Sequence, residues 1–372
     1  MQEIRIKRFF ECLIPVTICN LKCSYCYVIQ RDYRYMKLAD MKYSPEHIGK
    51  CLTVQRLGGV CFFSICGAGE TLAQPETLQI AHELLKNGHI VNITTNGTLR
   101  NRLKEIENFT LEERERLHFS FSFHYLELCR TGLLESFFEN IKYCKNQGCS
   151  FVVQLNLCDE YIPYIEDIKK ICKEKLGAYP QVAATRKESA DLTKFEFMTN
   201  LQDKEYIAIG KTFDSPLFEY TIENFNVKRN EFCYAGQRSG TLDLSTGILH
   251  KCYADPKPQK IFEDPTKKII FEPIGNNCNC AFCLNSSHFM SLGVIENNDS
   301  RTYCSLRDRL EAAWFNPTVK YALSQKLGEC NENYGINEQK RINRKQRYIN
   351  CYYKIRRELI KIVKAIIKRE QL

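Results

Sequence analysis

The stretch Cys19 to Tyr27, "CNLKCSYCY", packs three cysteines, Cys19, Cys23 and Cys26, into eight residues. A tetrahedral zinc site or a fully protein-ligated iron–sulfur cube takes four thiolates. Three thiolates leave one coordination position for something else. That is the arrangement of a working site, whereas a purely structural site closes its shell. The spacing alone would also suit a loop with three incidental thiols, so the surrounding sequence decides.

Outward from this loop the chain alternates strand and helix patterns. "CLIPVTI" (12–18) reads as a first strand leading directly into the cysteines. A helix is expected over 44–57, opened by Ser44 as N-cap and Pro45 at the first helical position. Strands follow at 60–66, 90–96, 118–124, 151–157 and 181–185. Helices between them are expected over 75–87, near 101–108, over 132–147 and over 161–176, with Gly88, Gly148 and Gly177 as stops. Six strands alternating with helices predict an α/β fold, a parallel sheet bent into a partial (β/α)6 barrel. Active groups then belong at the C-terminal ends of the strands, where the three-cysteine loop stands. Past residue 196 the alternation stops, and residues 214–330 are rich in Asn, Pro, Gly and Cys. The division expected is 1–195 for the barrel, 196–334 for a small Cys-rich α+β domain, and 335–372 for a basic helical tail.

Composition narrows the class. With 44% hydrophobic and 12% aromatic residues, the 372-residue chain is globular rather than disordered. No apolar run is long enough to span a bilayer, and "MQEIRIKRFFECLIP" lacks the apolar core of a signal peptide. A cytoplasmic location is the expectation. Twenty cysteines in a reducing compartment point to metal rather than disulfides. Cys51, Cys61, Cys129, Cys144, Cys149, Cys158 and Cys172 sit singly in helical or strand patterns and read as small core hydrophobes. From Gly335 to Leu372 there are 12 Lys or Arg and 3 Asp or Glu, a surplus equal to the +9 of the whole chain. The basic character therefore belongs to the tail.

"CNLKCSYCY" resembles the signature loop of the radical S-adenosylmethionine (SAM) superfamily. The resemblance implies that Cys19, Cys23 and Cys26 hold a [4Fe–4S] cluster whose open iron chelates SAM, with Tyr25 packed near the adenine. One βα unit later, "CGAGET" (66–71) is similar to the family's Gly-Gly-Glu element. Gly67 and Gly69 let backbone approach a ligand closely, and Glu70 offers a carboxylate to the SAM ammonium. Other strand ends supply softer candidates: "TTNG" (94–97), Ser122 and His124, Asn156, and Arg186. Ser122 and Asn156 are the preferred pair for the SAM ribose and carboxylate. Each of these also suits a solvated strand end.

A second set of cysteines lies downstream. Cys233 and Cys252 bracket a hairpin, "GTLDL" and "ILHKC", joined through Ser245-Thr246-Gly247, and the spacing C-x13-G-x4-C is completed by Gly247. "CNCAFC" adds Cys278, Cys280 and Cys283. The pattern resembles the SPASM/twitch extension of radical SAM enzymes. It fits the shorter, single-cluster twitch form, because Phe289 stands where the longer form needs another cysteine. The resemblance implies an auxiliary [4Fe–4S] cluster on Cys233, Cys252, Cys280 and Cys283, with Cys278 as a substitute ligand and Cys304 as an outside candidate. A four-cysteine zinc ribbon shares the C-x2-C half.

In the tail, Ile355, Leu359, Ile362, Val363 and Ile366 recur at helical spacing among Lys and Arg. Three readings stand: an apolar stripe packed on the protein, a helix docked on an anionic membrane, or contact with nucleic acid. No base-reading module accompanies the last, so nucleic acid is not an expected partner. The family implies reductive cleavage of SAM to a 5′-deoxyadenosyl radical, which abstracts hydrogen from a substrate. That substrate would be a small molecule, a carbohydrate among the options, or a peptide. An auxiliary cluster could take the second electron of a net oxidation. An electron donor such as flavodoxin or ferredoxin is implied. A first strand near residue 10 leaves no room for a leader-binding domain ahead of the barrel, which tilts the expectation away from a self-sufficient peptide maturase. Asn297 stands where the molybdenum-cofactor cyclase spacing needs a cysteine, and no ferredoxin-like spacing of a glycyl-radical activase occurs. An RNA-modifying radical SAM enzyme and a non-catalytic zinc or iron–sulfur protein are the alternatives.

Overall fold

In the computed structural model the described residues are 3–188, 194–253, 255–276, 278, 280, 283, 285–296 and 299–370, with 357–358 and the last ten by backbone only. Asn297 lies outside them. Six strands run parallel: β1 (Arg8–Ile14), β2 (Cys61–Gly67), β3 (Ile90–Thr95), β4 (Leu117–Ser122), β5 (Ser150–Leu157) and β6 (Gln181–Ala184). They lie side by side in the order of the chain, as a partial barrel requires. The apolar runs explain the burial. Residues Cys61 to Ile65 of β2 are buried without a break, as expected for a parallel strand covered on both faces.

The first strand differs from expectation. It spans 8–14 rather than 12–18, because Phe9, Phe10, Cys12 and Ile14 fill the core and Pro15, lacking an N–H, ends the ladder. The cysteine loop thus begins at Pro15. Ser44 caps α1 (Pro45–Cys51), accepting from the His47 N–H. The helix expected to run on to 57 stops instead at Leu52, and Thr53 caps a new turn, Val54–Leu57. Outside the sheet lie α2 (Glu76–Lys86), α3 (Leu134–Asn146) and α4 (Ile165–Leu176). The chain leaves them through Gly88, Gly148 and Gly177, whose φ values of 85°, 94° and 79° suit glycine. α4 begins four residues later than expected, since Pro163 confines 159–164 to a 3-10 segment.

The Cys-rich segment continues the same sheet. β7 (Ser239–Asp243) pairs parallel to β1, β8 (Ile248–His250) folds back on it, and β9 (Gln259–Lys260) adds a last short strand. The hairpin expected around Gly247 is therefore present, hydrogen-bonded to the strand that feeds the first cysteine loop. At the other end of the sheet, β6 is covered by α5 (Pro216–Glu223). The Val182 N–H donates to Ser215 Oγ at 2.9 Å, so the edge strand is satisfied by a side chain rather than by another strand. α6 (Ile336–Glu370) closes the described chain.

Six of the seven single cysteines read as core are buried. Cys129 is exposed, since the short helix Tyr125–Arg130 buries Leu128 and turns the next position outward. Packing of the tail stripe on the protein is likewise not what Ile355 and Leu359 do: both are exposed. The side chains of Ile362, Val363 and Ile366 lie outside those described.

Candidate active site

Pro15 sends the chain over the C-terminal end of the barrel. Backbone bonds then tie the cysteine loop to the turn after β2: the Gly69 N–H donates to the Val16 carbonyl at 2.6 Å, and the Glu70 N–H to the Ile18 carbonyl at 2.7 Å. Glycine is demanded here by space. A Cβ on Gly69 would overlap the Ile18 carbonyl oxygen and lie 2.7 Å from the Thr17 carbonyl carbon; one on Gly67 would lie 2.7 Å from Val16 Cγ1. The two sequence motifs thus form one cradle.

That cradle opens on a cavity of about 300 Å³. Cys19, Cys23 and Cys26 line it, as do Tyr25, Gly67, Gly69, Glu70, Ser122 and Asn156. Thr94, Asn96, His124 and Arg186, from the softer strand-end candidates, line it too. Of the residues expected at the first site, all but Gly97 of "TTNG" line this cavity. Below it, Asn92 donates to Ser64 Oγ at 3.1 Å and accepts from Ser120 Oγ at 2.9 Å.

Glu70 is buried, and its carboxylate is largely used by the protein itself. It accepts from the Leu72 N–H at 3.0 Å, the Thr95 hydroxyl and the Asn96 N–H at 2.7 Å. Desolvation raises its pKa despite these bonds. Its first effect is to fix the end of β3 against the glycine turn; a carboxylate offers about four acceptor sites, which leaves one for a ligand. Tyr25 is also buried, with Oη 2.6 Å from His124 Nδ1 and 2.8 Å from Tyr161 Oη. Burial pushes His124 down to about 4, so the imidazole is neutral at pH 7. Burial raises the Tyr25 and Tyr161 phenols, so the network holds its protons.

Several residues that hold the loop carry no sequence signal. The Lys22 N–H donates to Glu127 at 2.5 Å, Ser24 Oγ donates to Glu160 at 2.5 Å, and Arg34 donates to the carbonyls of Cys19 and Leu21 at 3.1 and 2.8 Å. Glu127, on the short helix Tyr125–Arg130, and Glu160, in the 3-10 segment 159–164, stand more than a hundred residues away, where no motif marks them. The donor set suits a cationic cluster. Burial raises the Cys19 thiol and pushes Cys23 up to about 12, so thiolates form there when a cation compensates them.

The second set converges as well. Cys233, Cys252, Cys278, Cys280 and Cys283 line a cavity of about 310 Å³ walled by Ile274, Phe289 and Ile295. They arrive on separate segments: Cys233 is bridged to Gly275 and Ile295, Cys252 follows β8, and Cys283 precedes the helical turn Ser286–Phe289. Gly247, the fixed glycine of the spacing, turns the hairpin with φ 71°, and a Cβ there would lie 2.5 Å from the Phe262 ring. Burial pushes Cys233 and Cys283 up to about 12, while the Cys280 N–H donates to Cys278 Sγ at 3.4 Å. Cys304 is buried elsewhere, on the short helix Tyr303–Arg307, and lines neither cavity. Among the described residues, no three His, Cys, Asp or Glu side chains close on a single metal ion.

Sequence comparison bears on the first site. Residues 13–161 match the model of the radical SAM superfamily, a span that holds the three-cysteine loop, the glycine turn and the ends of β3, β4 and β5. The chain carries a radical SAM domain. That family implies an enzyme using a [4Fe–4S] cluster and SAM. No curated protein matches the chain. Among solved structures it is similar to SuiB of Streptococcus suis bound to S-adenosylmethionine, at 16% identity and a TM-score of 0.48, covering 70% of this chain and 64% of that one. It is also similar to anSMEcpe with bound AdoMet and Cp18Cys peptide, at 20% identity and a TM-score of 0.48, over 70% of this chain and 80% of that one. BtrN in complex with AdoMet and 2-DOIA matches at 12% identity with a TM-score of 0.28, over 73% of this chain and 79% of that one. The second thiol cavity, β6 and Arg186 lie beyond the span of the radical SAM domain match.

Proposed function

We propose that Cys19, Cys23 and Cys26 are the protein ligands of a [4Fe–4S] cluster with one iron left for SAM, and that the chain modifies a small molecule or a peptide by hydrogen-atom abstraction. When bound, cluster and SAM supply a carbon-centred radical that takes the hydrogen atom. The observation that carries the reading is the convergence of three thiols with the polar ends of β2 to β5 on one cavity. Gly67 and Gly69 keep the cradle open to a ligand. Glu70 holds Asn96 and the β3 end in register and offers its remaining acceptor site to an ammonium. Ser122 and Asn156 present a hydroxyl and an amide to ribose or carboxylate. Tyr25, His124 and Tyr161, all uncharged, fix the loop without adding charge beside the thiols. Loading the site releases protons from Cys19 and Cys23.

The proposal extends to the second cavity. Cys233, Cys252, Cys280 and Cys283 would hold an auxiliary [4Fe–4S] cluster, with Cys278 in reserve. Thiolates around one zinc ion sit about 2.3 Å from a common centre. A cavity of about 310 Å³ between these thiols favours a larger group. Residues 1–195 then form the radical SAM core, 196–334 the auxiliary-cluster region and 335–372 the tail, in a cytoplasmic protein reduced by a flavodoxin- or ferredoxin-like donor. The net reaction would be an oxidation if the auxiliary cluster accepts the second electron.

The test is anaerobic iron and sulfide quantitation with a SAM-cleavage assay, on wild type and on Cys19/Cys23/Cys26→Ala. Wild type should hold about eight irons and the variant about four, at four per cube, and the variant should form no 5′-deoxyadenosine under dithionite. Full iron content in the variant, or zinc without iron in wild type, would overturn the proposal.

A further inference from the structure

The long helix α6 divides into a docked part and a free part. Near its start, Asn343 Oδ1 accepts from the Asn276 N–H at 2.9 Å and Asn343 Nδ2 donates to Asn276 Oδ1 at 2.7 Å. Lys345 pairs with Glu272 at 2.7 Å, and Lys251 donates to buried Gln346 at 3.2 Å. Beyond Gln346, Ile349 and Tyr353 are half-buried and five other large apolar side chains face solvent. Tyr348, Tyr352, Ile355 and Leu359 are 73, 61, 57 and 56% exposed, and Ile360 is 46% exposed. The first four stand at i, i+4, i+7 and i+11, one stripe along a helix. At about 1.5 Å per residue, the 24 residues from Arg347 to Glu370 make a rod about 36 Å long.

Charge selects the occupant of this stripe. Residues 347–370 carry eight Lys or Arg against two acidic residues, Glu358 and Glu370, while residues 1–334 are neutral overall. A second copy laid along the stripe would set two strongly cationic segments side by side with almost no acid to pair them. A nucleic acid would engage the cations and leave Ile355 and Leu359 in water. An anionic bilayer surface satisfies both features: the apolar side enters the acyl boundary, the cations meet the headgroups, and the tyrosines suit the interface. No described helix is long and apolar enough to cross a membrane.

We propose that residues 347–370 are an interfacial anchor that lies on an anionic lipid surface. Their docked neighbour Asn343 holds Asn276, which lines the second thiol cavity, so the anchor ties that side of the protein to the lipid. The inference does not depend on the radical reading. It is tested by sedimenting the full-length, anaerobically reconstituted protein with vesicles of phosphatidylcholine alone or with about a third phosphatidylglycerol. Partitioning should be at least about tenfold stronger on the anionic vesicles and fall as salt rises. Ile355→Asp/Leu359→Asp, at two exposed positions, should lose it while keeping the circular dichroism and cluster absorbance of wild type. Equal partitioning on both vesicles, no binding, or retention by the double variant would overturn the proposal. So would a concentration-dependent dimer, or tight RNA binding, abolished by the same substitutions in the absence of vesicle binding.

Discussion

The two thiol cavities are close in size and differ in how their cysteines reach them. The first takes its three cysteines from one eight-residue loop and surrounds them with strand-end hydroxyls, amides and backbone groups. The second takes five cysteines from three separated segments and sets them between Ile274, Phe289 and Ile295 and the polar run Lys228 to Glu231. Three thiols beside strand-end oxygen and nitrogen donors suit a site that exchanges ligands; five thiols are enough to close a shell. The contrast teaches that one group of thiols can be gathered by a single loop and another of similar enclosed volume only by folding separate segments together.

The largest effect that would break this contrast is on the second set. Cys252→Ala/Cys283→Ala should lose about four of about eight irons and still cleave SAM under dithionite, as colorimetric iron assay and chromatography of 5′-deoxyadenosine would show. Loss of cleavage in a variant that keeps the other four irons would make the two cavities one functional unit. Next in size, Gly69→Ala places a methyl against the Ile18 carbonyl. Overpacking of this kind costs about 1–3 kcal/mol, and the cradle must open to relieve it. Denaturant unfolding should report the loss, and SAM affinity by equilibrium dialysis should drop, while iron in the second cavity is unchanged.

The smallest effect concerns the residue that joins the two regions. Glu11 lies on β1, whose end feeds the first cysteine loop, and accepts from Asn285, two residues after Cys283, at 3.0 Å. Burial pushes its pKa up to about 7 from 4.5. Below about pH 4.5 the carboxyl is protonated in folded and unfolded chains alike. Between there and pH 7 only the unfolded chain gives up the proton, so folded stability falls as pH rises and then levels. Glu11→Gln should remove that slope, seen as a flatter dependence of Tm between about pH 5 and 7 by calorimetry. An unchanged slope would mean that Glu11 is solvated and that the Asn285 contact links nothing.

Much of this molecule is written locally. Apolar runs of five to seven residues separated by amphipathic stretches specify six strands in order, because periodicity is read within one element. Cys19, Cys23 and Cys26 share a loop, so their convergence needs no tertiary information. Gly67 and Gly69 stand at a strand end where close backbone approach is the ordinary reason for glycine. The errors are local too: the first strand is shifted because Pro15 ends it, and the 44–57 helix breaks because Thr53 caps a new turn.

What the sequence by itself determined, then, is the βα order and the two cysteine groups. Only the tertiary structure decided that the hairpin of the second group pairs with β1, that Glu70 is bound to the end of β3, that Glu127 and Glu160 hold the cysteine loop, and that Ile355 and Leu359 face solvent. Each of these depends on contacts between segments far apart in the chain. Such contacts are chosen by packing and hydrogen-bond satisfaction across the whole fold, which no local pattern encodes.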